Sequence, residues 1–256
     1  MIGNGADSSN KSDAFKVMFN GDTYISSSLY IGGTAITATA DEINLLDGLT
    51  TVGSGILSSV TENGNTGARI STSNASNHGD IGSNAVDLSY SSSSSSSYGA
   101  TGDYSTAMGR NTTASGSYST AMGWGPTASG YGSTAMGGGT TASNYYSTAM
   151  GAGTTASGSR STSMGDNTTA SGHSSTSMGY YTTASDYAST VIGQYNSSGS
   201  SATSADSFST SNTAFVIGNG TNSSNKSDAF KVMFNGDAYV SSSPVSYTHL
   251  TLPTRS

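Results

Sequence analysis

The chain has 256 residues, of which 33% are hydrophobic and 9% are charged, with no cysteine and a formal net charge of −7. The absence of cysteine excludes disulfides and thiolate metal sites. The negative net charge argues against nucleic-acid binding, because proteins that bind nucleic acid carry basic patches. No apolar run approaches the roughly eighteen residues of a membrane helix, so we expect no membrane segment, and we predict no cofactor.

A module at the start of the chain returns near its end. Residues 2–28 and 217–243 match at 23 of 27 positions. In both copies alternating apolar residues precede an Asn-Gly pair, which is a strong signal for a tight β-turn. The pattern therefore predicts a β-hairpin module at 1–28 and a second copy at 216–243. Because Met1 stands where Val216 stands in the second copy, we expect the chain to be a piece of a longer array.

Residues 29–88 are predicted to be a connector of short strands with one short helix. The helix is expected after Thr39, with Ile43 and Leu46 on one face. We interpret that face as a core-packing stripe, and a partner-binding face is the alternative. The segment 34–48 resembles modules of trimeric phage tail fibres. Residues 89–97 are serine apart from Tyr90, which is typical of a flexible linker.

A fourteen-residue period dominates residues 98–215, which we predict to form a β-roll for the reasons that follow. It is carried by the apolar residues Met108, Met122, Met136, Met150, Met164, Met178 and Ile192. Each is followed by a glycine that we interpret as a repeat turn: Gly109, Gly123, Gly137, Gly151, Gly165, Gly179 and Gly193. Self-similarity at a fixed period indicates a repeat protein whose units must stack to bury their apolar faces.

The repeat unit fits two short strands and two tight turns, whereas its Gly, Ser and Thr content is unfavourable for a helix. Because side chains alternate along a strand, Thr120 and Met122 share one face and Ala121 takes the other. We therefore predict an all-β fold, a parallel β-roll or solenoid, in which the methionines stack inside as the structural core. A buried Met contributes about 1.5–3 kcal/mol, but ordering fourteen residues costs on the order of 20 kcal/mol. We accordingly predict an obligate oligomer in which sister chains add burial.

The unit S-T-A-M-G-x-x-T-T-A-S-G resembles the head repeats of trimeric autotransporter adhesins, the YadA-like head. The matching positions are Ser105, Ala107, Met108, Gly109 and Ala114, with their equivalents every fourteen residues. The resemblance implies a left-handed parallel β-roll in a homotrimer on a bacterial cell surface. It also implies binding of a host matrix or cell-surface protein or glycan. Methionine replaces the Ile or Val that is usual in the family.

Residues 244–256 do not continue the first copy of the hairpin module, and they resemble translated sequencing-adapter sequence. We predict that this tail is an artefact, with a natural C-terminal tail as the alternative, and it carries no functional argument.

Candidate catalytic groups are sparse, since the histidines are His78, His173 and His249. His249 lies in the suspected artefact, His173 takes a variable corner position, and His78 lies in a predicted loop, so we predict that the protein is not an enzyme. Aromatic residues near the corners form a possible ligand-contact surface, with packing between coils or chains as the alternative. They are Tyr118, Trp124, Tyr131, Tyr145, Tyr146, Tyr180, Tyr181 and Tyr187.

The leading hypothesis is a structural and adhesive segment of a surface fibre, outside the cell. A viral or phage tail-fibre segment is the first alternative. Ice binding is the second, because threonine pairs repeat at a spacing of about 4.8 Å on a solenoid face. The pairs are Thr112-Thr113, Thr140-Thr141, Thr154-Thr155, Thr168-Thr169 and Thr182-Thr183.

Overall fold

The computed structural model describes residues 56–241 and, before them, five short strands within residues 2–35. The chain divides into two units, Met1–Ser54 and Gly55–Ser256. The predicted helix after Thr39 and the tail at 244–256 lie outside the described residues.

The first unit contains two small antiparallel sheets. Strands β1 (Ile2–Gly3), β2 (Asp13–Val17) and β3 (Thr23–Ile25) form one sheet, and β4 (Tyr30–Ile31) pairs with β5 (Thr34–Ala35) in the other. Antiparallel pairing of β2 with β3 confirms the hairpin that the Asn-Gly pair predicts.

The second unit is a stack of coils in which a long strand alternates with a short one. In chain order its strands are β6 (Leu57–Glu62), β7 (Asn65–Ile70), β8 (Val86–Tyr90), β9 (Gly99–Ala100), β10 (Thr106–Arg110), β11 (Thr113–Ala114), β12 (Thr120–Trp124), β13 (Thr127–Ala128), β14 (Thr134–Gly138), β15 (Thr141–Ala142), β16 (Thr148–Ala152), β17 (Thr155–Ala156), β18 (Thr162–Asp166), β19 (Thr169–Ala170), β20 (Thr176–Tyr180), β21 (Thr183–Ala184), β22 (Thr190–Gln194), β23 (Thr213–Asn219), β24 (Asp228–Met233) and β25 (Ala238–Val240). A 3-10 helix at Ala75–Asn77 lies between β7 and β8.

Successive coils pair in parallel, and their register keeps the sequence period. Met108 is opposite Met122 in the long strands, and Thr113 is opposite Thr127 in the short strands. The long strands build a thirteen-stranded sheet and the short strands a seven-stranded one. The predicted parallel β-solenoid of fourteen-residue coils is confirmed.

The interior of the solenoid is lined with alanine rather than methionine. Ala107, Ala121 and their equivalents are fully buried, whereas Met108 is 37% and Met122 38% exposed. The prediction that the methionines stack inside a single chain is therefore wrong. Two sheets that face each other within a fourteen-residue coil leave a narrow gap, which Ala, Ser and Thr fill through most of the stack. The longer methionine side chain on the opposite strand face therefore points outward.

The glycine that follows each methionine is also placed differently from the prediction. Gly137 lies within strand β14 rather than in a turn, with φ at +116°. A Cβ on Gly137 would lie 2.0 Å from the carbonyl oxygen of Gly151 in the next coil. The column therefore requires glycine because the backbones of neighbouring coils approach closely and because φ is positive. The turn itself begins two residues later, where Asn111 and Tyr181 adopt a left-handed conformation in their coils.

Hairpins cover both ends of the thirteen-stranded sheet. At one end β6 pairs with β7, and β7 pairs in parallel with β8. At the other end β23, β24 and β25 pair in antiparallel fashion, which confirms the second predicted hairpin. Terminal units that protect the open ends are a general requirement of stacked repeats.

The serine-rich segment is part of the first coil and not a loose linker, which corrects the predicted boundary at residue 98. Ser89 and Tyr90 belong to β8, where they pair with Gly109 and Arg110. Farther along, the Asn77 side chain donates to the carbonyl of Ser91 at 2.7 Å. Backbone pairing with a neighbouring strand supplies order that a composition of serine alone does not indicate.

Candidate functional surface

A continuous apolar stripe runs along the outer side of the thirteen-stranded sheet, and we call it the methionine face. Its members stand opposite one another in nine consecutive long strands: Leu88, Met108, Met122, Met136, Met150, Met164, Met178, Ile192 and Ile217. Eight steps of about 4.8 Å give a length of about 38 Å. These side chains are half-buried or exposed in the single chain, and contiguous apolar surface of this kind marks an interaction site.

Each coil turns at two corners, which carry most of the variable side chains. The tryptophan corner consists of the two residues after each repeat glycine: 110–111, 124–125, 138–139, 152–153, 166–167, 180–181 and 194–195. The tyrosine corner lies at the other turn: 103–104, 117–118, 131–132, 145–146, 159–160, 173–174 and 187–188. The second residue of each pair has a positive φ. This explains why Asn and Gly recur there at the tryptophan corner, whereas the tyrosine corner has Gly only at Gly132.

The tyrosine corner is an aromatic ladder. Tyr104 and Tyr118 stack with ring centroids 4.9 Å apart, and Tyr131 stacks on Tyr145 at 5.2 Å. Tyr146 meets Tyr131 edge to face at 5.7 Å. Loss of solvent around the Tyr131 phenol, followed by the neighbouring tyrosines, raises its pKa. The ladder is held by contacts between successive coils, which supports the packing interpretation, while its edges and hydroxyls remain available to a partner.

Farther along the stack, the same corner carries Arg160 and His173. The Arg160 guanidinium lies 3.2 Å from the His173 ring nitrogen, and His173 stacks on Tyr187 at 5.2 Å. His173 therefore lies at the variable corner where the repeat predicts it, and its ring takes part in the ladder.

The tryptophan corner holds a second aromatic group. Tyr181 stacks on Tyr195 at 5.0 Å, and Tyr180 meets Tyr181 edge to face at 4.7 Å. Trp124, four coils away in the stack, is 65% exposed. The predicted ligand-contact residues thus divide between two corners rather than forming one surface. Tyr104 and Tyr195 also belong to these two corners and were not predicted, although each lies fourteen residues from a predicted tyrosine.

The threonine columns are not a flat outer face. Thr112, Thr140, Thr154, Thr168 and Thr182 are all fully buried. Only the second threonine of each pair, such as Thr113, is partly exposed. The double column on which the ice-binding hypothesis depended is therefore not presented to solvent, since alternation sends neighbouring side chains to opposite faces.

A buried polar cluster closes the first coil. Asp87 takes the place of the interior alanine in β8, opposite Ala107. Its Oδ2 accepts a hydrogen bond from the Arg69 Nε at 3.2 Å and lies 3.0 Å from the His78 Nδ1. Arg69 also donates to both carboxylate oxygens of Glu62, at 2.7 and 3.0 Å. His78 is thus in a loop, as predicted, but is buried against this cluster.

The cluster does not have the geometry of a nucleophilic site. The Ser89 hydroxyl donates to Asp87, and both groups approach the same ring nitrogen of His78. A base that activates a serine needs its second nitrogen on the orienting carboxylate. Burial alone would raise the pKa of Asp87, but hydrogen bonds from His78 and Ser89 outweigh it and lower the pKa. The cluster of Glu62, Arg69, His78 and Asp87 therefore closes one end of the interior with charged side chains, and we call it the charged plug.

Among the described residues no group of three or more acidic or histidine side chains is placed to hold a metal ion. In the same part of the chain no helix has the length and apolar character needed to cross a bilayer.

Comparison with protein families identifies the coils. The family described as the YadA head domain repeat (2 copies) matches residues 100–125, 128–154, 144–168, 156–182 and 170–196. These matches cover residues 100–196 apart from residues 126 and 127, so the predicted family resemblance is confirmed for this part of the chain. The curated proteins include no match to the chain.

Proposed function

We propose that the chain, as a carrier of YadA head domain repeats, is a segment of an extracellular adhesive fibre in which three copies pack along their methionine faces. The observation that carries the proposal is the position of the large apolar side chains. The interior is lined mainly by Ala, Ser and Thr, with Val191 and Val216 at one end, and nine large apolar side chains form a stripe on the outside. The family match on residues 100–196 supports the number of chains and the extracellular location.

Packing against sister chains answers the energetic problem of a thin solenoid. Each interior alanine contributes little apolar area, whereas covering a half-exposed methionine adds stability at about 25 cal/mol per Å² of apolar surface. Several buried serine and threonine hydroxyls, including those of Ser133 and Thr154, have no hydrogen-bond partner in the described chain. Burying unpaired polar groups costs free energy, so we expect burial between chains to add stability that the interior of one chain lacks.

The two corners supply the adhesive surface in this arrangement. They flank the long strands and repeat once per coil, so a trimer displays many copies of similar aromatic edges. Amphipathic tyrosine and tryptophan rings are favoured at protein interfaces. The role is mechanical and adhesive rather than catalytic. A viral or phage tail fibre remains the alternative, but the segment 36–48 that suggests it lies outside the described residues.

Light scattering on the full chain tests the assembly. The wild type should have three times the chain mass of 25.5 kDa. In the double variant Met136→Glu/Met150→Glu, carboxylates on the methionine face should repel across the interface and give a monomer, whose strand circular dichroism should be reduced because burial between chains is lost. The matched control is Ser117→Glu/Ser159→Glu, which adds the same charge at the tyrosine corner and should stay trimeric. A wild-type chain that is folded and monomeric would contradict the proposal.

Adhesion is tested separately by coating beads with the full chain and measuring attachment to cells and to extracellular matrix. Tyr145→Ala/Tyr146→Ala should reduce attachment without changing the mass in solution. Equal attachment by wild type, variant and uncoated beads would remove the adhesive role.

A further inference from the structure

The tryptophan corner contains a groove beside the single tryptophan of the chain, with a volume of about 370 Å³. Its walls carry Tyr98, Asn111, Thr113, Trp124 and Thr127. The register places Thr113 opposite Thr127 and beside the coil of Gly99, so the lining comes from four successive coils. The groove therefore runs along the fibre for about 14 Å, which is three steps between coils.

Glycines leave this groove open. Gly125 and Gly139 line it, and at each of them an added Cβ would meet no atom within 4 Å. Gly138, opposite Trp124 in the next long strand, is equally unobstructed. In other coils the same corner holds large side chains, such as Tyr180 and Tyr181. Space beside Trp124 is thus a property of this corner position and not of the repeat in general.

The groups that line the groove are aromatic or neutral and polar. Trp124 is 65% exposed and offers a ring, and Thr113 and Thr127 offer hydroxyls about one coil apart. The Asn111 side-chain oxygen is enclosed and has no hydrogen-bond partner among the described residues. None of the lining residues is charged, and the chain carries a net charge of −7, which disfavours an anionic ligand by long-range repulsion.

We infer that this groove binds a neutral oligosaccharide that lies along the fibre axis, with one sugar ring packed on Trp124. Sugar rings present apolar C–H groups on a face and hydroxyls at the edge, which complements an exposed aromatic ring beside amide and hydroxyl groups. The inference rests on the proposed function, because it names the class of ligand that the adhesive surface takes.

The single tryptophan provides the measurement, since its fluorescence reports on this groove alone. Titration of the full chain with lactose and with N,N′-diacetylchitobiose should give a saturable change of tryptophan emission with at least one of the two. The same sugar, followed by calorimetry, should bind Trp124→Ala roughly tenfold more weakly or not at all. Asn111→Ala should weaken binding by about threefold at most, because the Asn111 side-chain oxygen is enclosed in the free chain.

A variant that fills the groove separates binding from stability. Gly139→Tyr places a tyrosine where Tyr181 and Tyr195 stand in their coils at positive φ, so the backbone accepts it, and sugar binding should be lost. The control Gly153→Tyr puts the same side chain one coil farther along and outside the groove lining. Its Cβ must displace the Asn167 side chain, which is also outside the groove, so its sugar binding should equal that of the wild type.

Two results overturn the inference. One is an emission that neither disaccharide changes. The other is a blue shift of Trp124 emission on assembly that no sugar alters, which would show that a sister chain occupies the groove. Failure of the proposed adhesive function can be distinguished from failure of this inference. In that case the wild type would be a folded monomer or would not attach to cells and matrix, while sugar binding at Trp124 would persist.

Discussion

The two faces of each long strand show opposite packing. Inward side chains are alanine in four consecutive long strands and serine in the next two, and outward side chains at the next position are methionine in all six. The inner column is closed at its ends by Asp87 on one side and by Val191 and Val216 on the other. The contrast teaches that the space between the two sheets limits the size of the inward side chains, whereas the size of the outward side chains depends on what covers that face.

Exchanging the sizes of neighbouring residues breaks this contrast most severely. Ala149→Leu adds a branched side chain to an interior position that is fully buried, and we expect the free energy of unfolding to fall by about 3 kcal/mol. Met150→Leu, the next residue on the outer face, should change it by less than about 1.5 kcal/mol. Urea unfolding followed by circular dichroism measures both. Equal losses in the two variants would contradict the assignment of the faces.

The close approach of coils is tested by two adjacent glycines. Gly137→Ala places a Cβ 2.0 Å from the Gly151 carbonyl oxygen at a φ of +116°, so we expect a loss of about 2 kcal/mol in the same unfolding assay. Gly138→Ala meets no atom within 4 Å and serves as the control. A result in which Gly137→Ala is as stable as Gly138→Ala would show that the coils can separate.

The charged plug predicts a dependence on pH. Since the pKa of Asp87 is lowered in the folded state, its ionised form contributes stability above the ordinary carboxyl pKa of about 3.9, and the contribution disappears as pH falls through the lowered value. Asp87→Asn should therefore be less stable than the wild type at pH 7, with the difference shrinking below about pH 4. Thermal unfolding at several pH values measures this. Asp206→Asn, at an exposed carboxylate, should show no such convergence, and a constant gap for Asp87→Asn would refute the prediction.

The smallest expected effect is a gain in stability from pairing a buried hydroxyl. The Ser163 and Thr168 hydroxyls lie 2.7 Å apart, whereas the Thr154 hydroxyl, one coil earlier, has no hydrogen-bond partner among the described residues. Ala149 is opposite Ser163, so Ala149→Ser should pair with Thr154 and raise the free energy of unfolding by about 1 kcal/mol. Ala152→Ser, on the exposed corner, should leave it unchanged, and a loss of stability in Ala149→Ser would contradict the pairing.

The positions of many site residues could be predicted from the sequence, but fewer of the contacts that surround them could be. The period placed Tyr118, Tyr131 and Tyr145 at corners, and the structure stacks them there. The period did not show that Trp124 stands beside an open groove, because the walls come from four coils and include Tyr98, which directly follows the serine-rich segment. Nor did it bring His78 to Asp87, which the chain joins only by folding β7 beside β8.

By itself the amino-acid sequence determined the repeat, the strand alternation that separates methionine from alanine, and the hairpins at Asn20-Gly21 and Asn235-Gly236, because these follow from local periodicity and turn chemistry. Only the tertiary structure decided which strand face is the interior. Alternation defines two faces of a strand but not which one a second sheet covers, and the narrow gap between the two sheets admits alanine and excludes methionine.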